Sequence, residues 1–342
     1  MNILLTGGLG YIGSHISIQL LNLNHNVIII DDLSNSNISV VDRIQQITNK
    51  TISLYQTHIT ISSLNTIFSK HNIDGVIHLA GYKSVNGSIN HPIDYYNNNL
   101  VSTLDLLKVM EHYHCFNLIF SSSSTVYGNN IPPFKEIDKI GDGITNPYGK
   151  TKYMIELILM DVCNSNSKWN ITSLRYFNPV GNHSSGLLGD DPNKPNNLMP
   201  ILVNVALQNN TTIQLPNYQQ LSVYGDDYQT IDGTPMRDYI HVEDLAKGHI
   251  LALQNIDKLS HYNSINLGVG KQISVLEMVD TFIRVNKVEL PYQIKNRRDG
   301  DIPISYCIAE KAQQKLDWYP EKTIEDMCQD SWKFAKMKYS ID

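Results

Sequence analysis

Short apolar segments alternate with longer segments of amphipathic, helical periodicity from the first residues of the chain onward. Continuous apolar runs such as Val27–Ile30 are typical of parallel strands that helices cover on both faces. The alternation is the signature of βαβ units. It predicts an α/β fold with a doubly wound parallel sheet. The strands are predicted at Asn2–Thr6, Asn26–Asp31, Ile52–Gln56, Gly75–Leu79, Asn117–Ser122, Thr172–Tyr176 and Ser264–Leu267.

The regular alternation ends near Asn178. The stretches Pro179–Pro200 and Leu215–Pro235 are rich in Gly, Asn, Asp and Pro, and long irregular segments of this kind are usually functional or disordered. The apolar periodicity of Val242–Leu253 predicts a helix that returns to the first domain. We therefore expect a first domain over residues 1–180, rejoined by residues 238–267, and a smaller, less regular C-terminal domain over residues 181–342.

Composition and charge exclude several classes of protein. The 342 residues are 42% hydrophobic and carry 27 Lys and Arg against 33 Asp and Glu, a formal net charge of −6, as expected for a globular chain without the basic footprint of a nucleic-acid binder. The apolar runs are shorter than the roughly 20 residues that span a bilayer. The four cysteines are scattered without a CxxC pair, and no charged leader precedes the first strand, so we expect a cytoplasmic protein with no metal site.

Three glycines follow the first predicted strand and open a helix. Gly7, Gly10 and Gly13 have the spacing that lets a backbone turn tightly and approach a pyrophosphate, with the N–H groups of Tyr11 and Ile12 facing the anion. The next strand ends at an acidic pair, Asp31 and Asp32, of which Asp31 can accept hydrogen bonds from a ribose diol. Because both acids would repel a 2′-phosphate, the pattern predicts a Rossmann-like domain that binds NAD rather than NADP. The alternative is a glycine turn that serves packing alone.

A tyrosine and a lysine lie four residues apart in NPYGKTK, where Pro147 starts a predicted helix. Forming a phenolate at neutral pH requires roughly 4 kcal/mol, and an ammonium about 5 Å away returns roughly 3 kcal/mol at an effective dielectric near 20. We therefore expect Lys152 to supply most of the shift that makes Tyr148 a base. With 19 tyrosines in the chain, about one such spacing arises by chance, so the pair gains its weight from its context.

The segment FSSSSTVYG follows a predicted strand at its carboxyl end, where open α/β sheets bind ligands. Its hydroxyls at Ser123 and Thr125 can contact a substrate oxygen. A serine-rich loop without a role in binding is the alternative interpretation.

Nearly the whole chain resembles the UDP-glucose 4-epimerases of the extended short-chain dehydrogenase/reductase superfamily. The resemblance rests on TGGLGYIGSH, HLAGYKSV, YYNNNL, FSSSSTVYG, NPYGKTK, LRYFNPVG, PNNLMP, MRDYIHVEDLAKGH and RRDGDIP. It implies an NAD-binding first domain, a UDP-sugar-binding second domain and a homodimer formed by helices of the first domain. It also implies a reaction in which UDP-glucose and UDP-galactose interconvert by oxidation and re-reduction at C4 through a 4-keto intermediate.

The resemblance implies a role for individual positions. Tyr148 would remove the 4-hydroxyl proton, Lys152 would tune Tyr148 and hold the nicotinamide ribose, and Ser123 would bond the sugar O4. The further implied cofactor contacts are Ile59, Lys83, Asn98, Ser121 and Tyr176. The further implied substrate contacts are Thr125, Asn178, Asn197, Leu198, Tyr224 near uracil, Arg237, Arg298 and Asp301. Two arginines suit a diphosphate because their planar forks bind phosphate bidentately.

Three positions depart from the family pattern. His58 stands where the family has an Asp against the adenine amino group, and a neutral imidazole can still accept there. The polar insertion Gln208–Gln220 is interpreted as surface. Ser305 stands at a gate that is Tyr in epimerases restricted to the unmodified sugars, so we expect UDP-GlcNAc and UDP-GalNAc to be accepted as well. An alignment shifted by two residues places the small Cys307 there instead.

Other functions remain open on sequence alone. Another nucleotide-sugar epimerase or a 4,6-dehydratase has the same fold, but a dehydratase needs an acid and base pair where this chain has Ser124 and Thr125. A non-catalytic NAD-binding regulator is a third candidate. Such a protein is expected to lose the tyrosine or the lysine, and this chain has both.

Overall fold

The computed structural model describes residues 1–193, 195, 197–259, 261–298 and 300–341. Two positions in the motifs quoted above, Asn196 and Asp299, lie outside these ranges. The strands of the described residues are β1 (Asn2–Thr6), β2 (Asn26–Asp31), β3 (Ser53–Gln56), β4 (Gly75–His78), β5 (Asn117–Ser121), β6 (Asn170–Tyr176), β7 (Asn178–Val180), β8 (Leu221–Tyr224), β9 (Met236–Arg237), β10 (Tyr239–His241), β11 (Tyr262–Leu267), β12 (Ile273–Ser274), β13 (Tyr292–Lys295) and β14 (Ile304–Ser305).

The α-helices alternate with the strands of the first half and dominate the second. They are α1 (Tyr11–Asn22), α2 (Ser39–Thr48), α3 (Ile61–Lys70), α4 (Val85–Asn90), α5 (Pro92–Tyr96), α6 (Ser102–His112), α7 (Pro147–Ser165), α8 (Leu198–Asn210), α9 (Val242–Gln254), α10 (Val275–Asn286), α11 (Glu310–Leu316) and α12 (Ile324–Tyr339). A π-helical segment, Asn97–Val101, joins α5 to α6. Within the described ranges, no helix combines the length and the apolar character that crossing a membrane requires.

Among the described residues, seven strands form one parallel sheet in the order β11-β6-β5-β4-β1-β2-β3. This order confirms the doubly wound, Rossmann-like fold expected from the sequence. Strands β1 and β2 have the predicted bounds, and the other five differ by one or two residues at an end, as β6 does by starting at Asn170. The sheet order reverses between β1 and β4, which opens a crevice at the carboxyl ends of these strands.

Two apolar layers cover the sheet because successive side chains of a strand point to opposite faces. Leu5 of β1 packs on one face in a cluster with residues of α1 and α9, whereas Leu4 packs on the other face with residues of α3, α6 and α7. Both leucines are fully buried. The continuous apolar runs of these strands are therefore explained by burial on both sides.

A separate apolar cluster lies in the C-terminal part of the chain, where residues of α8, α10 and α12 pack together around Leu202, Phe282 and Trp332. The chain also returns to the large sheet, since β11 pairs with β6 and α9 packs against α1. The division of the chain near Gly181 into a cofactor domain and a substrate domain stays a prediction.

Candidate active site

Several polar or titratable side chains lie at the carboxyl ends of the parallel strands. The last residues of five strands are Thr6, Asp31, His78, Ser121 and Tyr176. Parallel strands place these ends along one edge of the sheet, next to the crevice between β1 and β4. The sequence motifs singled out above therefore converge on this edge.

The glycine loop has the shape of a cradle. Gly7 has φ +69°, and a Cβ there would lie 3.0 Å from the backbone of Ala80. A Cβ on Gly13 would lie 2.4 Å from the carbonyl oxygen of Gly7. Helix α1 begins at Tyr11, and the N–H groups of a first helical turn have no partner within their own helix. The loop is therefore suited to an anionic group held by backbone N–H donors, which matches a dinucleotide pyrophosphate.

The hydroxyl of Tyr11 donates to the carbonyl oxygen of Gly181, which ties the glycine loop to the segment after β7. The next residue of the loop, Ile12, is partly buried against the apolar layer that contains α1 and α9. The two positions predicted to face the pyrophosphate through their backbone are therefore held by their own side chains.

The carboxylate of Asp31 already accepts three hydrogen bonds from the protein. Its carboxylate accepts hydrogen bonds from the N–H of Leu9 at 3.0 Å, the N–H of Leu33 at 3.0 Å and the hydroxyl of Ser36 at 2.7 Å. A carboxylate offers about four acceptor positions, so one remains for a hydroxyl such as that of a ribose.

The neighbouring acid, Asp32, pairs with His58, whose Nδ1 lies 3.0 Å from a carboxylate oxygen. The His58 side chain is 80% exposed, and Ile59 is partly buried beside it. If Nδ1 donates to Asp32, Nε2 of the neutral ring carries the free lone pair. That arrangement suits the acceptor role expected for His58 toward an adenine amino group.

Ser123 lies between Tyr148, a predicted catalytic residue, and Thr125, a predicted substrate contact. Helix α7 starts with Pro147 behind Asn146, whose side chain accepts from the N–H of Gly149 at 2.8 Å. This start directs Tyr148 toward the end of β5, where Ser123 lies close enough to lower the pKa of the phenol. The Ser123 oxygen accepts from the hydroxyl of Thr125 at 3.0 Å. The side chains of Thr125, Ser123 and Tyr148 therefore lie next to one another, as a proton transfer among them requires.

Lys152 is buried at the end of β5. Its Nζ donates to the carbonyl oxygen of Ser121 at 2.6 Å and lies 4.8 Å from the ring centroid of Phe120. Burial lowers the pKa of Lys152 to about 8. The hydroxyl of Ser121 is hydrogen-bonded to that of Tyr176, so one residue contacts two predicted cofactor-binding side chains.

The protein alone does not lower the pKa of Tyr148. Burial raises that pKa above its ordinary value, and the hydrogen bond from Ser123 acts in the opposite direction with a smaller effect. In the free protein Nζ of Lys152 is bound to the Ser121 carbonyl and lies 5.9 Å from the Tyr148 ring centroid. The expectation that Lys152 supplies most of the shift that makes Tyr148 a base stays a prediction.

A second group of predicted residues meets around β9 and β14. Arg237 forms an ion pair with Asp301, and its Nη1 donates to the carbonyl oxygen of Met236 at 2.9 Å. Ser305 pairs with Arg237 across the two strands and is buried.

The segment before Asp301 adds an aromatic contact. The N–H of Asp301 donates to the carbonyl oxygen of Arg298 at 3.2 Å, and the Arg298 guanidinium lies 3.9 Å from the ring centroid of Tyr224. The structure therefore brings together two arginines and an aromatic ring, which is a suitable set for a phosphorylated nucleoside.

A third group includes a carboxylate that sequence reasoning missed. Asn197 is the residue before α8, and burial raises the pKa of Asp190 while the nearby Lys83 and Asn197 act in the opposite direction. Leu198 is the first residue of α8, and the backbone N–H of Asn178 donates to the backbone carbonyl oxygen of Asp238 at 3.0 Å. In the sequence, the signal that pointed to Asp190 was its position in the irregular segment Pro179–Pro200, a type of segment that is usually functional or disordered.

The π-helical segment holds another residue that was not predicted. Asn98 donates to the side chain of its neighbour Asn99 at 3.0 Å. Asn99 is buried and donates to the hydroxyl of Thr151 at 3.0 Å and to the carbonyl oxygen of Tyr82 at 3.1 Å. π-Helical turns frequently occur at functional sites, and here the turn links the Asn98 region to the residue before Lys152.

A cluster of possible metal ligands lies apart from these groups. Ligand atoms of His241, Glu243 and Asp330 lie within 4.8 Å of one another. The Nδ1 of His241 accepts from the N–H of Glu243 at 3.1 Å, so the proton of the neutral ring is on Nε2, which faces Asp330 at 3.3 Å. Lys322 contacts both carboxylates. These contacts make the cluster an internally paired ionic network.

Comparison with known proteins identifies related chains over almost the full length. Residues 3–268 match the model of the NAD dependent epimerase/dehydratase family. A UDP-glucose 4-epimerase of Bacillus subtilis is 43% identical over 337 residues, covering 98% of this chain and 96% of its own.

Two crystal structures resemble the fold closely. A UDP-glucose 4-epimerase of Stenotrophomonas maltophila with bound NAD and formylated UDP-arabinopyranose has a TM-score of 0.94 at 40% identity. One of Bifidobacterium longum in complex with NAD+ and UDP has a TM-score of 0.92 at 44% identity. In both comparisons 99% of each chain is covered.

Proposed function

The chain belongs to the NAD dependent epimerase/dehydratase family, and from this premise we propose that it interconverts UDP-glucose and UDP-galactose. The observation that carries the proposal is the placement of Tyr148 beside the hydrogen-bonded pair Ser123 and Thr125, with a buried lysine on the same helix. This arrangement handles a proton at one sugar hydroxyl. It lies on the sheet edge that also carries the glycine cradle.

The cofactor of the reaction is NAD, which accepts a hydride from C4 of the sugar and returns it when bound. The residues of this chain fit that cofactor. The glycine loop has room for backbone N–H donors to hold the pyrophosphate, and Asp31 has one acceptor position left for the ribose. Lys152 and Tyr176 line the end of the sheet where the nicotinamide ribose is expected.

Within this proposal, Tyr148 exchanges a proton with the sugar 4-hydroxyl through Ser123. A positioned acid or base of this type contributes about 10²- to 10⁴-fold to a rate. Ser123 can pass the proton in both directions because a hydroxyl both donates and accepts. The 4-keto sugar formed after loss of the proton and hydride is then reduced on its opposite face.

Turning the keto sugar over requires that the nucleotide stays in place. Arg237 and Arg298 are the proposed anchors of the diphosphate, Tyr224 of the uracil, and Asn178, Asn197 and Asp301 of the remaining nucleotide-sugar groups. The ion pair between Arg237 and Asp301 supports this, since it fixes one guanidinium before substrate arrives. Fixed charges at a distance from the reacting carbon leave the sugar free to rotate.

The proposed function is tested with purified protein and UDP-galactose deuterated at C4. Formation of UDP-glucose without added NAD, with deuterium still at C4, supports a hydride that never leaves the protein. A 4-keto-6-deoxy sugar would instead identify a 4,6-dehydratase. Binding of NAD without turnover of any nucleotide sugar would identify a non-catalytic regulator.

We also propose that UDP-GlcNAc and UDP-GalNAc are substrates. Ser305 is small, buried and paired with Arg237, a proposed diphosphate anchor, and this pairing supports a place for Ser305 beside the bound sugar. The hydroxymethyl side chain leaves room that an acetamido group can fill. Cys307 is buried too, with its thiol 3.6 Å from Asp238.

Replacing Ser305 with Tyr is expected to abolish turnover of UDP-GlcNAc and to leave that of UDP-glucose within about threefold, because the larger ring fills the space for the acetamido group. The measurement compares kcat/KM for both substrates in the parent and in S305Y, with Ser305→Ala as the control of similar size. Equal loss of both activities in S305Y, or no turnover of UDP-GlcNAc by the parent, would contradict the proposal.

We further propose that the protein is a homodimer formed through α6 and α7. The apolar side chains Val101, Leu104, Met154 and Leu157 lie on these helices and the adjoining π-helical segment, and each is 38–46% exposed. A partner that covers them would bury apolar surface on binding.

The double substitution Leu104→Glu and Leu157→Glu is expected to halve the molar mass in solution, because four buried carboxylates would face one another in the dimer. Sedimentation equilibrium measures the change. Ile137→Glu is the control, since Ile137 is 90% exposed and lies outside this surface. A monomeric parent, or a dimer that survives the double substitution, would contradict the proposed interface.

A reducing compartment, the cytoplasm, is proposed as the location. All four cysteines lie in the described part of the chain, and each is a buried free thiol. Such thiols are typical of proteins that fold where disulfides are kept reduced.

A further inference from the structure

A buried carboxylate lies behind the proposed catalytic pair. Glu156 follows Lys152 by one turn of α7 and Tyr148 by two turns, and its side chain is fully buried. One of its oxygens accepts from the hydroxyl of Ser122 and from Nε of Arg175 at 3.0 Å. The other accepts from Nη2 of Arg175 at 2.6 Å and from the hydroxyl of Tyr262 at 3.1 Å. All four acceptor positions of the carboxylate are therefore used.

The ion pair with Arg175 does not by itself explain why a charge is buried here. Arg175 is also buried, and it donates to the hydroxyl of Tyr127 at 3.2 Å. Removing two charges from water offsets most of their attraction, so apolar residues of similar volume often give equal or greater stability. The contact that singles out Glu156 is the one with Ser122, because Ser122 lies between two residues of the proposed site.

Three consecutive serines contact three successive turns of α7. The carbonyl oxygen of Ser121 accepts from Lys152, the hydroxyl of Ser122 donates to Glu156, and Ser123 lies close enough to Tyr148 to lower its pKa. We propose that Glu156, acting through Ser122, is a positioning residue that holds the serine segment against α7 so that Ser123 and Tyr148 stay in register. The inference rests on the proposed function, since it assigns Ser123 the task of passing the proton.

The hydrogen bond between Ser122 and Glu156 takes no part in the proposed reaction. Ser123 and Tyr148 exchange a proton in each turnover, and Lys152 contacts the cofactor in the proposed arrangement. Glu156 is buried behind them, so its bond to Ser122 persists while the hydroxyls beside it rearrange. A displacement of 1 Å at a reacting group lowers a rate by about 10²-fold, so a fixed anchor next to Ser123 has a large effect on catalysis.

The carboxylate also acts on its neighbour on the helix. Its charge raises the pKa of Lys152 against the larger lowering that burial causes. Loss of the carboxylate therefore weakens the charge of Lys152 as well as the hold on Ser122. The test must separate these two effects.

Two hydroxyl deletions separate the effect on Ser122 from the effect on the charge of Lys152, because each leaves Glu156 and Arg175 in place. Ser122→Ala removes the donor on the side of the serine segment, and Tyr262→Phe removes the donor on the other oxygen. Each variant loses one hydrogen bond to the same buried carboxylate, and the two are expected to lose similar stability in urea unfolding. We expect kcat with UDP-galactose to fall at least tenfold in S122A and less than twofold in Y262F, with KM and bound NAD unchanged in both.

A variant without either charge provides the second measurement. Glu156→Leu combined with Arg175→Met leaves no unpaired buried charge. It is expected to lose at least as much kcat as S122A, and adding Ser122→Ala to it is expected to change kcat less than twofold, because both act through one contact.

The kcat of each variant is compared with that of the parent enzyme. A difference in kcat between S122A and Y262F of less than fivefold overturns the inference, as does a further loss when Ser122→Ala is added to the charge-free variant. Failure of the parent itself to convert UDP-galactose overturns the proposed function instead, so the two failures are distinguishable.

Discussion

Replacing Tyr148 with phenylalanine is expected to lower kcat for UDP-galactose by about 10²- to 10⁴-fold, while NAD and UDP bind as before. The substitution removes one hydroxyl and keeps the ring, so the packing of α7 is retained. That hydroxyl lies beside Ser123, which accepts a hydrogen bond from Thr125. Without it, Ser123 has no partner that can take the proton from the sugar.

The size of the effect follows from the state of Tyr148 in the free protein. Because burial raises its pKa, the side chain is a protonated phenol before the site is filled. Its use as a base therefore depends on further positive charge in the cleft, to which the nearby Lys152 ammonium contributes. Phenylalanine cannot respond to that charge, and the Lys152 ammonium is itself held by the Ser121 carbonyl oxygen.

Rates at saturating substrate, with titration of UDP and measurement of bound NAD, separate catalysis from binding. Tyr153→Phe is the matched control, since it deletes a tyrosine hydroxyl from the same helix, outside the group of Tyr148, Ser123 and Thr125. Weaker binding of UDP or NAD in Y148F with an unchanged kcat would show that Tyr148 is a contact residue and not the acid and base.

The fold was predictable because its signals are local. The apolar runs VIII and LIF mark strands buried on both faces, and a glycine turn between a strand and a helix needs only neighbouring residues to be recognised. Strand ends such as Leu79 and Ser122 were less reliable, because the last ladder bond depends on the neighbouring strand, which sequence does not locate.

The details of the site depend on contacts between distant parts of the chain. The spacing of Tyr148 and Lys152 correctly places both on one helix face, but the direction of Nζ is set by the Ser121 carbonyl, 31 positions away. Glu156 meets Arg175 only because α7 packs against β6. Asn99 joins Tyr82 to Thr151 through a π-helical turn that no local pattern announces. Sequence reasoning therefore predicted side chains that the fold brings close together, and it missed the buried groups that contact them.

Three buried histidines lead to a second large effect, the loss of stability in mild acid. His15, His78 and His249 are buried, and burial lowers their pKa values to about 3, about 3 and about 4. His78 lies between the hydroxyls of Thr6 at 2.7 Å and Thr103 at 2.9 Å, and Nε2 of His15 and of His249 has no hydrogen-bond partner in the described residues. These rings are therefore neutral in the folded protein.

The direction of the effect follows from proton linkage. The unfolded chain binds protons at these histidines near pH 6.5, whereas the folded protein does not bind them until pH 3–4. Folding stability is complete above pH 6.5 and falls as the pH decreases toward the folded-state values. Between pH 7 and pH 5 each histidine removes about 2 kcal/mol, or about 6 kcal/mol for the three. Since domains are stabilised by about 5–15 kcal/mol in total, we expect a large loss of folded protein near pH 5.

Urea unfolding at pH 7 and pH 5 measures the loss of folding stability. Single substitutions show how much of this loss each histidine causes. His249→Phe keeps a ring beside Tyr176 and deletes the titrating group, whose Nδ1 contacts the carbonyl oxygen of Leu245. It is expected to recover about 2 kcal/mol of the loss between the two pH values. His112→Asn, at an exposed position near the end of α6, is the control and is expected to recover nothing. The same loss in H249F as in the parent would show that His249 does not bind protons on unfolding, and would remove it from the explanation of acid sensitivity.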